Sequence, residues 1–223
     1  MKKSISLLGI LATLLGCHRN QEGLKLSGPL EWTEYNVGAR VPGRVDRLFV
    51  TESDRVTRGQ LLATLDRHAQ AEKDAGRAER LFRQGGGSEQ SVEQARLALD
   101  DQAIHSPTDG VVMLKVHEEG EVVSAGAPVL VLGDPSAPWV RVYVPENHIA
   151  NIKLGQKAEL RFDGIEQPFQ GRVSSIAPRV EFTPRNIQTP DERVTQTVAV
   201  KVLVDNPTPA LRPGLTADVT LAP

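Results

Sequence analysis

Cysteine is almost absent from these 223 residues. Cys17 is the only one, so no internal disulfide can form and the fold must stand on packing alone. Two methionines and five histidines leave little material for a soft-metal site. The formal net charge is only -2, without the basic excess that a nucleic-acid groove requires. Aromatic residues make up 4% of the chain, and past the first sixteen residues no apolar run is long enough to span a membrane. No Gly-rich phosphate loop, nucleophile elbow or zinc-ligand spacing occurs, so neither an enzyme class nor a cofactor is indicated.

What is present begins with an export signal. Lys2 and Lys3 form a positive n-region and Ile5 to Leu15 an apolar h-region, too short to span a bilayer. The stretch ends in Leu14-Leu15-Gly16-Cys17, which resembles the lipobox of bacterial lipoproteins. Residues 1–16 are therefore expected to be a lipoprotein signal peptide, with Cys17 the lipidated mature N-terminus. Residues 17–36 are expected to be a lipid-anchored linker and an N-terminal strand that returns beside the C-terminal strand. The expected location is the periplasm, held by lipid at the inner membrane. His18 beside Cys17 leaves outer-membrane anchoring open.

The body of the chain carries an internal repeat. Val41–Leu65 and Thr108–Leu132 superimpose with an offset of 67 residues (110 − 43): Gly43 falls on Gly110, Val45 on Val112, Glu52 on Glu119, Val56 on Val123, Gly59 on Gly126 and Leu65 on Leu132. Each copy alternates valine and leucine with period two between glycine corners, the pattern of short sandwich strands. Where the second copy has Gly120 the first has Ser53, so one corner is expected to hold a non-glycine residue in an uncomfortable conformation.

Between the copies the composition turns to Ala, Glu, Gln, Arg and Leu, strong helix formers. The spacing predicts helices over Ala69–Gln84 and Ser88–Gln102, broken by Gly85-Gly86-Gly87. Ala71, Ala75, Ala78 and Phe82 recur at helical spacing and are expected to face Val92, Ala95, Leu99 and Gln102 in a short two-helix seam.

Val-Pro-Gly-Arg-Val, Ser-Asp-Arg-Val, Arg-Gly-Gln-Leu-Leu and Ser-Pro-Thr-Asp-Gly-Val-Val resemble the split biotinyl/lipoyl domain of HlyD-type membrane fusion proteins. That resemblance implies a mainly β fold with an α-helical hairpin: a split lipoyl-like β-sandwich (37–68 and 104–134), the hairpin (69–103) and a small β-barrel (135–223) with a short membrane-proximal end. A carrier domain would present a modifiable lysine at the hairpin joining its halves. The one nearby lysine, Lys115, falls inside a predicted strand, so a carrier role is not expected.

Arg77 and Leu81 lie one helical turn apart, off the seam register, and Ser88 follows past the glycines. Their spacing resembles the hairpin-tip signature with which these adaptors dock onto TolC-type outer-membrane channels. An exposed leucine, a guanidinium and a hydroxyl suit such a contact. The competing reading is three ordinary surface residues. Helices of about 16 residues give arms of only about 25 Å, shorter than in many adaptors of the family.

Beyond Asp134-Pro135-Ser136, alternating segments at Trp139–Val144, Lys157–Phe162, Phe169–Ile176, Thr195–Val204 and Leu215–Leu221 predict at least five barrel strands. The long segment 180–193 resembles the part of ABC-exporter adaptors that faces the transporter, which singles out Phe182, Thr183, Pro184, Arg185, Asn186, Gln188 and Thr189. The resemblance as a whole implies a non-enzymatic periplasmic adaptor. Its partners would be an inner-membrane transporter, ABC-type ahead of RND-type, and an outer-membrane channel, with self-association into a homo-oligomer such as a hexameric ring. The alternatives are a metal site at His117 and Glu119, set against a solvated turn, and an envelope lipoprotein that binds a ligand with its barrel.

Overall fold

The computed structural model describes residues 23–179, 181–182 and 196–222. Strand β1 (Leu24–Gly38) opens the fold, followed by β2 (Gly43–Leu48), β3 (Arg55–Val56) and β4 (Leu61–Leu65). The hairpin consists of α1 (His68–Arg83) and α2 (Glu89–Asp100). After it come β5 (Ala103–His105), β6 (Gly110–Lys115), β7 (Val122–Val123) and the long β8 (Pro128–Pro145). A short helix α3 (Glu146–Ile149) leads to β9 (Lys157–Phe162), β10 (Phe169–Ile176), β11 (Glu181–Phe182), β12 (Gln196–Val204) and β13 (Thr216–Leu221).

The repeat in the sequence is a repeat in the hydrogen bonding. A shift of 67 carries Gly43–Leu48 onto Gly110–Lys115 and Arg55–Val56 onto Val122–Val123. The Ser53 amide donates to the Val112 carbonyl (2.8 Å), and its counterpart Gly120 donates to Val45 (2.7 Å). Glu119 Oε1 accepts the Leu48 amide at 2.8 Å, while Glu52 Oε1 accepts the Lys115 amide at 3.0 Å. Matched apolar pairs, Val45 with Val112, Leu62 with Val129 and Leu65 with Leu132, fill one core at 1% exposure or less. Burial on that scale stabilises by roughly 1.5–3 kcal/mol per side chain. The corner holds the expected asymmetry: Ser53 adopts φ +74° where Gly120 adopts +91°.

The barrel is a closed ring of six antiparallel strands, β12-β10-β9-β13-β1-β8 and back to β12. Its strands alternate as a half-buried strand must: Ala158, Leu160 and Phe162 point inward from β9, and Val200, Val202 and Val204 from β12. The sixth strand comes from the N-terminal segment, whose Leu24–Pro29 pairs with Leu221–Thr216.

Both β1 and β8 run through sandwich and barrel, so the break expected at residue 134 is instead an interrupted ladder. Pairing stops at Thr33↔Asp134 and resumes at Glu31↔Trp139. Pro135 and Pro138, which have no N–H to offer, fall in this bulge. The Asp134 carboxylate accepts the Ser136 amide at 2.8 Å and fixes the local turn.

Candidate functional site

The hairpin is anchored at its base and capped at its tip. At the base the Leu65 amide donates to Gln102 O (2.9 Å), and Arg40 pairs with Asp100 and, at 3.9 Å, with Asp101. Halfway along, two nitrogens of Arg96 reach Glu79 Oε1 at 2.9 and 2.8 Å. Ala75 and Val92 are the buried residues of the two helices, with Ala71, Ala78, Ala95 and Leu99 half-buried around them. The expected seam thus forms through its middle.

At the tip α1 closes with a Schellman arrangement. The Gly86 amide donates to Leu81 O (2.9 Å) and the Gly85 amide to Phe82 O (3.0 Å), with Gly85 at φ +74°. A Cβ on Gly87 would lie 3.1 Å from the Phe82 nitrogen, so the third glycine lets the turn close against the helix end. Ser88 then caps α2: its Oγ accepts the Ser91 amide at 3.2 Å from extended backbone.

Arg77 and Leu81 sit on successive turns of α1, and Ser88 lies beyond the glycine turn. Among the described residues no hydrogen bond or ion pair joins the three. Arg77 is exposed and within 3.4 Å of Asp74 one turn earlier, and the Ser88 hydroxyl is engaged in its cap. Leu81 is 45% exposed, but so is Phe82, at 46%. Phe82 therefore does not close the seam as expected. The first turn of α2 offers it Ser88, Glu89, Gln90 and Ser91, none of them apolar. Sequence reasoning also passed over Leu97, 58% exposed on α2. Its signal was a leucine out of register with Val92, Ala95 and Leu99.

The other candidates have structural roles. Glu119 holds the Leu48 amide, and His117 Nδ1 lies 2.8 Å from Pro128 O. The described residues contain no group of three or more His, Cys, Asp or Glu that could hold a metal ion. Lys115 lies in β6 with Glu118 at 2.9 Å. That hydrogen bond, with the charges of Glu118, Glu52 and Glu119, raises its pKa above 10.5. Phe182 belongs to β11, paired with Gln196. Cys17, Thr183, Pro184, Arg185, Asn186, Gln188 and Thr189 lie outside the described residues.

Residues 34–132 match the barrel-sandwich hybrid domain of RND membrane fusion proteins, and residues 138–223 match the CusB-like β-barrel domain. The sandwich and the barrel of this chain are thus RND-type membrane fusion protein domains. Both domain descriptions carry the RND or CusB name, and neither bears out the HlyD-type and ABC-exporter affinity expected from the sequence. Curated relatives include a UPF0194 membrane protein of Citrobacter koseri, 32% identical over 58% of this chain and 39% of the relative. Another, from Acidithiobacillus ferridurans, is 37% identical over 56% of this chain and 37% of the relative. The chain thus spans about two fifths of the length of these relatives. Among solved structures, a MacA-MexA chimera containing the Pseudomonas aeruginosa MexA α-hairpin superposes with a TM-score of 0.67 at 23% identity, over 90% of this chain and 80% of the chimera. ZneB from Cupriavidus metallidurans gives 0.58 at 23% identity, over 90% and 98%. These likenesses are of fold.

Proposed function

We propose that this chain is a membrane fusion protein acting as a periplasmic adaptor, joining an inner-membrane transporter to an outer-membrane channel for efflux or secretion. It is held to the inner membrane by lipid on Cys17 and works as a homo-oligomer. The observation that carries the reading is the hairpin inserted in the split sandwich. Where a carrier domain would display a lysine, this chain displays two helices whose tip leaves Arg77, Leu81 and Phe82 exposed. The tip is the channel contact. Segment 180–193 is the transporter-facing loop in this reading, which the positions of its neighbours support, since β10 ends and β12 begins toward the barrel end opposite the sandwich. The names of the two matched domains favour an RND-type transporter over the ABC type. No enzymatic activity belongs to this reading.

The test uses Leu81→Ser and Arg77→Asp. Exposed positions of this kind cost the fold within roughly 0.5 kcal/mol, whereas an interface anchor is worth about 2 kcal/mol or more. Export and crosslinking to the channel should fall while the unfolding midpoint stays put. Unchanged export and crosslinking would remove the tip from the docking surface.

A further inference from the structure

The barrel end away from the sandwich gathers the start of β1, the end of β13, helix α3 and the turn before β9. They border one groove of about 650 Å³, lined among others by Gly23, Leu24, His148, Lys153, Gln156 and Ala222. The turn Lys153-Leu154-Gly155-Gln156 is locked in place. Gln156 Oε1 accepts the Lys153 amide at 2.9 Å, its Nε2 donates to Ala222 O, and Gly155 adopts φ +78°.

The same turn occurs in the sandwich as Thr57-Arg58-Gly59-Gln60. There Gln60 Oε1 accepts the Thr57 amide at 3.0 Å and Gly59 adopts φ +80°. Its apex residue is Arg58. The turn chemistry therefore does not ask for leucine, yet Leu154 stands at the equivalent apex with 68% of its surface in water. Lys153 and Lys157 flank it, and Lys25 and Arg179 extend from the same end. None of these four cations has a carboxylate partner among the described residues. Glu146 is the described carboxylate on α3, and His148 the titratable group beside it. Tyr143, 37% exposed, projects outward two residues before β8 ends.

We infer that this barrel end rests on an anionic lipid surface, with Leu154 inserted at headgroup depth and Lys25, Lys153, Lys157 and Arg179 against lipid phosphates. The inference deepens the adaptor reading and rests on lipidation at Cys17. Five residues lie between Cys17 and Gly23, a reach of about 20 Å at most, so a lipid on Cys17 keeps this end next to the leaflet. An exposed apolar residue flanked by lysines, on an end that carries further basic side chains, is the chemistry of interfacial contact, and tyrosine favours the same depth.

The mature lipidated chain carrying Leu154→Cys has a single free thiol, because that of Cys17 is consumed in the thioether. An environment-sensitive fluorophore is attached there, and the protein is reconstituted on phosphatidylcholine vesicles with or without about one-third phosphatidylglycerol. A second protein carries the label at Arg58→Cys in the sister turn. With the anionic lipid, the label at 154 should brighten at least about twofold and shift to the blue, and the change should disappear in high salt and with Lys153→Glu and Lys157→Glu together. The label at 58 should stay water-like throughout. Protein that floats with the vesicles while the label at 154 stays water-like overturns the lipid contact and leaves the anchor standing. Protein that fails to float overturns both. A label that leaves water only when a transporter is added assigns the surface to a protein partner instead and overturns the inference.

Discussion

The matched corners of the sandwich allow a stability experiment with its own internal control. Ser53 and Gly120 occupy equivalent positions, make equivalent amide hydrogen bonds to Val112 and Val45, and both have positive φ. A left-handed conformation costs an L-residue roughly 1–2 kcal/mol, a cost glycine escapes. Against this, glycine loses roughly 0.4–1 kcal/mol more chain entropy on folding. The Ser53 hydroxyl has no hydrogen bond among the described residues, so Ser53→Gly removes strain without removing a contact. It should stabilise the protein by about 0.5 kcal/mol. In the other half a Cβ at residue 120 would meet nothing within 4 Å, so the cost of Gly120→Ser is backbone strain alone. Because φ there is +91° rather than +74°, further from the left-handed minimum, that cost should reach about 1–1.5 kcal/mol. Urea unfolding of the two single variants and the exchange double variant, followed by circular dichroism, reads all three. Ser53→Gly destabilising by more than about 0.5 kcal/mol would refute the strain argument and mean that the serine side chain holds the corner.

Ser88→Ala should cost roughly 1 kcal/mol through loss of the α2 cap, while Ser88→Asp, which can still accept the Ser91 amide, should stay near wild type in urea melts. The raised pKa of Lys115 means that its stabilising contribution is complete below pH ~10.5 and is lost as pH rises through the higher folded value. Unfolding midpoints should therefore fall more steeply above that pH in wild type than in Lys115→Met, and a difference that appears only in acid would be the wrong sign. Gly133→Ala would place its Cβ 2.4 Å from Met113 Sδ and 2.8 Å from Trp32 Cε3, an overpacking cost of about 1–3 kcal/mol. Adding Met113→Ala should recover part of that loss if the clash is the cause.

The sandwich was legible because its information is local and duplicated. Val45 and Val112, or Leu65 and Leu132, carry the period-two pattern, and the corner residues 53 and 120 carry the backbone conformation. The hairpin was legible in its middle, where alanines on α1 meet Val92, Ala95 and Leu99. It was misread at the tip, because extending the seam to Phe82 assumed an apolar partner that α2, beginning at Glu89, does not supply. The continuity of β8 was hidden for a different reason. Asp134-Pro135 reads as a stop in any one-strand analysis, and only the pairing of Glu31 with Trp139 shows the ladder resuming. The side-chain roles of Glu52 and Glu119 as amide acceptors across the sandwich were equally out of reach, since each partner lies more than 60 residues away.

The two shared strands bear on reach. Because β1 and β8 pair with each other in both sandwich and barrel, the halves of the molecule are tied by two chain crossings and a ladder whose interruption at Glu31/Thr33 marks their junction. The Glu31 carboxylate stiffens the barrel side of that interruption, accepting from Trp139 Nε1 at 3.1 Å and from two nitrogens of Arg141 at 2.8 Å. On the sandwich side Trp32 and Met113 pack over Gly133. Any bending at this bulge would change direction without adding length. The distance from barrel to tip is set by the sandwich and by α1, whose 16 residues span about 24 Å. That distance is fixed, because neither unwinding of the capped hairpin nor extension of the paired strands is available to this chain without breaking the hydrogen bonds that hold it.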